Sequence, residues 1–325
     1  MNQSTIGGPI GTGCFGKRQP AGDYIHHHQG GPGILDWQRW IHDGVGLASA
    51  RFGAAVEPLL RDLRVFQFAF PSARSDSYLF GALGPGQDRS GRLFPFTVFA
   101  EVQPGPPSSV LELIFRHESL WRRAAEILTA KEVDLPALFL AVDRLVSDDP
   151  PAAATERTGA AYLARETVGT LTSDADPDAM RQSLIRVTRN LQRVARQVER
   201  DHRPPAYGLR FPLPPEPERA TAARAVFLDM SLRVLGPKLR PALFWTEAGR
   251  DGYLDLHPGP VGPEAFLPLL SRSFPSDPVF AMDDDVAGPD GGEPRENPAD
   301  ACWAEPGLSL QDAVDRCGSS SGWRP

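Results

Sequence analysis

The sequence has few of the features that would assign it quickly, and each shortage excludes something. There are three cysteines, Cys14, Cys302 and Cys317, an odd number with no close pairing. That argues against a disulfide framework and predicts reduced thiols of a cytosolic protein. No run of about 18 uncharged apolar residues occurs, so no transmembrane helix is expected. The start, MNQSTIGGPIGTG, lacks a basic stretch followed by a long apolar one, so no secretory signal is expected either. No H-E-x-x-H helix is present to carry zinc chemistry, and no internal repeat is found.

An excess of positive charge is also missing. The formal net charge is −7, and its location is informative. From residue 283 onward ten acids (Asp283, Asp284, Asp285, Asp290, Glu293, Glu296, Asp300, Glu305, Asp312, Asp315) face three bases (Arg295, Arg316, Arg324), while residues 1–282 balance at 31 of each. A neutral body with an acidic tail excludes a general nucleic-acid binder. Hydrophobic residues at 41% and charged ones at 23% are ordinary for a globular chain with a sizeable core.

The apolar pattern that is present alternates between helical and strand periods. Trp37, Trp40, Ile41, Ala48 and Phe52 recur at helical steps and predict a helix over 36–56. Phe66, Phe68 and Phe70 alternate and predict a strand over 65–70. Further strands are expected at 78–83 and 93–102 around a Gly/Pro/Asp turn, the second at an edge or bulged because Pro95 has no N–H to donate. Helices follow at 110–130 and 135–146. The clearest helix spans 178–200, with Met180, Leu184, Val187, Leu191, Val194 and Val198 as a narrow seam behind an Asp176-Pro177 start. Residues 203–218, rich in proline, read as an extended connector. A helix at 220–235, a strand pair at 241–246 and 253–257 around EAGRDG, and a short helix at 264–271 complete the body. Interleaved helices and strands predict an α/β class. The divisions expected are an α/β domain over 1–145, a helical and small α/β region over 146–282 packed on it, and a disordered acidic tail over 283–325.

Several strings imitate chemistry. Gly11, Gly13 and Gly16 satisfy G-x-G-x-x-G, and Gly11 with Gly16-Lys17 imitates a phosphate-binding loop. Such loops need a strand before and a helix N-terminus after, with Ser or Thr following the lysine. Here Arg18 follows, and Pro20 and Gly22 interrupt any helix, so a structural turn is expected, with nucleotide binding through Gly11–Lys17 as the alternative. His26-His27-His28 invites a metal, but adjacent side chains diverge on a regular element, so an exposed loop and no metal are expected. Cys14 beside Lys17 reads as a packed cysteine rather than an activated thiolate. Arg186, Arg189, Arg193, Arg196 and Arg200 form a cationic stripe opposite the apolar seam. It reads as a solvated face, with an acidic partner, a phosphorylated segment, nucleic acid or the chain's own tail as alternatives.

Two segments are more specific than these. GCFGKRQPAGDY (13–24) and LFGALGPGQDRSGRLFPFTVFAEV (79–102) resemble the TagF, or ImpM, family of type VI secretion-associated proteins. The resemblance rests on Gly13, Phe15, Gly16, Lys17, Pro20, Gly22, Asp23 and Tyr24, on Trp37 and Trp40, and on Pro85, Asp88, Gly91, Arg92, Phe94, Pro95 and Phe96. Gly86 departs from the serine usual there. It covers roughly residues 11–145. The resemblance implies a layered α/β/α sandwich with a central mixed sheet, plus a helical C-terminal half. It also implies a cytoplasmic, non-enzymatic, post-translational repressor of secretion-system assembly without a cofactor. The implied partner is a forkhead-associated-domain scaffold protein, alongside a threonine kinase and phosphatase pathway. Catalytic residues are not implied. The turns bearing Lys17, Asp23, Asp88 and Arg92 are the candidate partner-binding surface.

Overall fold

Alternation along the strands assigns each residue to one of two faces. In the computed structural model, which describes residues 9–28, 31–104, 109–130, 134–146, 158–173, 176–246, 251–271, 278–284 and 298–321, nine strands make one sheet. They are β1 (Pro9–Gly16), β2 (Ile25–His27), β3 (Phe66–Pro71), β4 (Tyr78–Gly84), β5 (Phe96–Val102), β6 (Gly208–Leu213), β7 (Ala242–Thr246), β8 (Gly252–His257) and β9 (Val279–Ala281). Their order is β2-β1-β5-β4-β3-β7-β8-β6-β9. β6 and β9 run parallel and the other pairs antiparallel, so the sheet is mixed.

Eleven α-helices cover the sheet among the described residues: α1 (Pro32–Phe52), α2 (Val56–Arg61), α3 (Val110–Arg116), α4 (Glu118–Thr129), α5 (Leu135–Asp143), α6 (Gly159–Arg165), α7 (Val168–Thr172), α8 (Pro177–Asp201), α9 (Pro217–Leu235), α10 (Leu267–Leu270) and α11 (Leu310–Ser321). Phe66, Phe68, Leu79, Phe99 and Phe244 point to one side and pack with α1, α2 and α10. Ala69, Phe80, Val98 and Trp245 point to the other and pack with α3 to α9 and α11. The result is the expected α/β/α sandwich. On the first side the Trp37 ring stacks on Phe68 at 4.0 Å and the Trp40 ring on Phe244 at 5.0 Å. Their indole N–H groups donate to Thr97 Oγ1 and to the Gly262 carbonyl, so neither tryptophan is buried with an orphan donor.

Three expectations need correction. Pro95 does not mark an edge: β5 begins one residue later and lies inside the sheet between β1 and β4. A missing N–H costs a ladder nothing when the proline stands before the strand. The connector 203–218 contains β6, whose Leu209, Phe211 and Leu213 alternate into the core. Pro212 is tolerated there because β9 pairs only with Gly208 to Arg210 and ends before reaching it.

The third correction concerns the acidic tail, which is not disordered throughout. A 3₁₀ segment (Pro298–Ala304) packs against α8, and α11 packs against that segment, α6 and α9, burying Cys302, Trp303, Leu310, Val314 and Cys317. Residues 285–297 and 322–325 of that expectation lie outside the described residues. The tail seats on the first two arginines of the stripe: Arg189 pairs with Asp300 and Arg186 Nε donates to the Asp283 carbonyl at 2.7 Å, while Arg181, ahead of the stripe, donates through Nε to the Trp303 carbonyl at 3.1 Å. Of the readings open for that stripe, the structure places the chain's own tail there. α8 itself starts as its sequence foretells, Asp176 accepting from the Ala179 N–H.

Candidate functional site

The two motif segments, more than fifty residues apart in sequence, interlock. β1 ends at Gly16, whose φ of 121° is left-handed and whose α-carbon lies against the Pro95 backbone, so only glycine fits. The chain then turns through residues 17–24, and a second loop, residues 85–95, lies over it. Arg89 N–H donates to the Ala21 carbonyl at 2.8 Å, and Arg92 Nη2 donates to the Gly22 carbonyl at 2.9 Å. Gly86 is wedged between the carbonyls of Lys17 and Phe94. The space there accounts for glycine at the position where the resemblance leads one to expect serine.

Asp88 is the centre of this interlock and has no exposed surface. Its Oδ1 accepts from the Ser90 N–H (2.9 Å), the Ser90 hydroxyl (2.7 Å) and the Arg92 N–H (3.0 Å). Its Oδ2 accepts from Arg92 Nε at 2.7 Å and faces Lys17 Nζ at 3.3 Å. Burial disfavours the ionised form, but the hydrogen bonds from Ser90, Arg92 and Lys17 outweigh it and hold the carboxyl well below the usual carboxylate range. Lys17 is buried and also lies 5.0 Å from the Tyr24 ring. Of the four predicted surface residues, therefore, Lys17 and Asp88 are internal struts. Asp23 and Arg92 are exposed, 3.5 Å apart, and form the accessible rim with Arg89.

The strings that imitate chemistry are absorbed by the fold. Gly11, Gly13 and Gly16 lie within β1, paired to β5 and β2, not in a loop before a helix, and Lys17 is committed to Asp88. This geometry counts against a phosphate loop. Cys14 is fully buried, and burial pushes its thiol up to about 12, so it is not an activated nucleophile. Gly318 to Ser321, the start of a G-x-S-x-G string, lie in α11 rather than at a strand-to-helix turn.

Arg18, which broke the phosphate-loop pattern, has a role of its own. Its guanidinium donates to the carbonyls of Ile127 and Leu128 at 3.0 Å and to that of Ala130. It satisfies the last turn of α4 and places positive charge at the negative end of that helix. Arg18→Ala should cost about 1–2 kcal/mol in urea unfolding, and Arg18→Lys should recover only part, since one ammonium does not span three carbonyls as a planar fork does.

Residues 13–145 match the family described as TagF N-terminal domain, Type VI secretion system-associated. This part of the chain is a TagF N-terminal domain. Both interlocked loops, the second half of β1, β2 to β5 and α1 to α5 lie within the match. The chain thus carries a type VI secretion-associated, TagF-like domain over these residues. No curated protein matches it. A solved structure, that of PA0076 from Pseudomonas aeruginosa PAO1, is similar over 83% of this chain and 98% of its own, at 18% identity and a TM-score of 0.47. Among the described residues no helix is long and apolar enough to cross a membrane.

The histidine run departs from expectation. His27 and His28 do not diverge: both Nε2 atoms reach Asp143 Oδ1, at 2.7 and 2.9 Å. Sequence reasoning missed this because Asp143 is more than a hundred residues away. A local hint existed in Phe139 and Asp143, one helical turn apart on α5.

Proposed function

We propose that the chain is a non-enzymatic, cytoplasmic, post-translational repressor of type VI secretion-system assembly that acts by binding a forkhead-associated-domain scaffold protein. The observation that carries this reading is the TagF N-terminal match over the two loops, whose interlock leaves Asp23 and Arg92 at the surface as a charged rim. The scaffold engages that rim. A paired acid and guanidinium offer both signs of charge to a polar partner and favour orientation and specificity over raw affinity. The threonine kinase and phosphatase pathway of the same system would act on the same scaffold, in parallel.

The test is retention of the purified cognate scaffold by the full chain, together with effector secretion in a strain lacking the gene. Secretion should rise in the deletion strain. Asp23→Lys, at an exposed position where folding stability should move by no more than about 0.5 kcal/mol, should weaken scaffold binding at least tenfold and fail to restore repression. Failure of the wild-type chain to retain the scaffold, with secretion unchanged on deletion, would reject the proposal. Nucleotide binding through Gly11–Lys17 is the second reading. ATP or GTP with magnesium should leave the melting temperature unmoved, whereas a saturable rise would revive that alternative.

A further inference from the structure

We propose that His27, His28 and Asp143 form a site for a zinc-class divalent metal ion, joining β2 to α5 on the outer edge of the sheet. The three ligand atoms lie within 4.8 Å of one another. The shared hydrogen bonds at 2.7 and 2.9 Å place both imidazole nitrogens on one carboxylate oxygen. A tetrahedral ion with ligand bonds of about 2.1 Å needs ligand atoms about 3.4 Å apart, so the two His–Asp contacts would open by about 0.5–0.7 Å to admit one.

The backbone explains how neighbouring histidines come to converge. On a strand their side chains would take opposite faces. β2 ends at His27, and His28 adopts a left-handed conformation, φ 52°, uncommon for a residue with a side chain. That turn brings the His28 ring to 3.9 Å from the His27 ring. His27 is further fixed by stacking on Phe139 at 4.3 Å and 7°, and Phe139 stands one turn before Asp143 on the same face of α5. His26 points elsewhere, toward Phe15 and Tyr24.

The donor set selects the ion. Two imidazoles and one carboxylate suit zinc and its transition-metal neighbours rather than calcium or magnesium, which favour all-oxygen sites. His28 and Asp143 line a cleft of about 630 Å³ that also contains Thr12 and Glu101, so a fourth coordination position faces solvent. Three protein ligands and an open position characterise an accessible zinc site, in contrast to closed four-ligand structural ones. Glu101 does not complete the set: its Oε1 already accepts from Gly33 N–H and the Ser77 hydroxyl.

The test uses the full chain without an affinity tag, titrated with zinc by calorimetry and with cobalt followed in the visible region. One equivalent should bind, cobalt giving the intense d–d bands of a four-coordinate site. His28→Asn and Asp143→Asn should each weaken binding at least tenfold while leaving far-ultraviolet dichroism unchanged, and His26→Gln should bind as the wild type. No saturable binding up to about 1 mM metal, a free energy of only about −4 kcal/mol, would overturn the proposal. So would binding unaltered in the Asn variants, or lost equally in His26→Gln. The His–Asp contacts would then serve only to clasp β2 to α5. Scaffold binding plays no part in this experiment, so either proposal can fail alone.

Discussion

Asp88→Ala is expected to be the most damaging single change in the TagF domain that removes no apolar surface. It leaves Lys17 buried without its counter-ion and removes the acceptor for two backbone N–H groups, one hydroxyl and Arg92 Nε. Stranding a buried charge costs far more than losing an exposed ion pair, and the melting temperature should fall by on the order of 10 °C. Asp88→Asn keeps the shape and one acceptor oxygen and should fall by less. Combined with Lys17→Met it should lose less than the two single changes together, because each single change strands a group that the double change removes.

The same carboxylate gives a pH signature whose sign follows from its shift. The folded-state pKa lies below the ordinary carboxylate value, so its stabilisation is fully present above the unfolded value, near 4. It is lost as pH falls from there toward the folded value. Asp143 adds in the same direction, its carboxyl lowered first by the His27 hydrogen bond. Asp88→Asn should therefore flatten the acid limb of a stability–pH curve measured between pH 5 and pH 2 and leave the neutral region parallel to wild type. An unchanged acid limb would show that the Asp88 network does not contribute to acid stability.

How much of this was legible in the sequence depended on the range of the interactions. The Phe66, Phe68, Phe70 alternation and the Asp176 cap are local, and both elements stand where local rules put them. The interlock of residues 13–24 with 85–95 was legible only as a resemblance. Nothing in the spacing of Lys17 and Asp88 says that they meet. Asp88 and Arg92 lie together in the candidate surface turn, but Asp88 is buried as a strut bonded within its own loop and only Arg92 stays at the rim. His27 and His28 were judged by the geometry of regular elements, and one left-handed residue cancels that rule. β6 was hidden by the prolines around it, and its own Pro212 is tolerated where a short neighbour leaves an N–H unneeded.

The acidic tail was misjudged for the opposite reason: it was read by its composition. Asp, Gly, Pro and Ser dominate it, and such a segment cannot bury enough apolar surface on its own to offset its ordering entropy. Trp303 is fully buried against α8, and its indole N–H donates to Thr188 Oγ1 at 3.0 Å, so α8 supplies the surface that the tail lacks. Trp303→Ala is expected to cost about 3–5 kcal/mol, the range for emptying a buried aromatic site. Trp303→Phe keeps most of the packing and should cost less, with about 1 kcal/mol of it from the hydrogen bond. Ending the chain at residue 297 should cost more than Trp303→Ala and expose apolar surface of α6, α8 and α9 to a hydrophobic dye, because it also removes Leu310, Val314 and Cys317 from the shared core. Urea unfolding of the three variants decides the matter. A tail that merely floats beside the domain would leave all three midpoints at the wild-type value, whereas one that completes the core gives a graded loss from Phe to Ala to truncation.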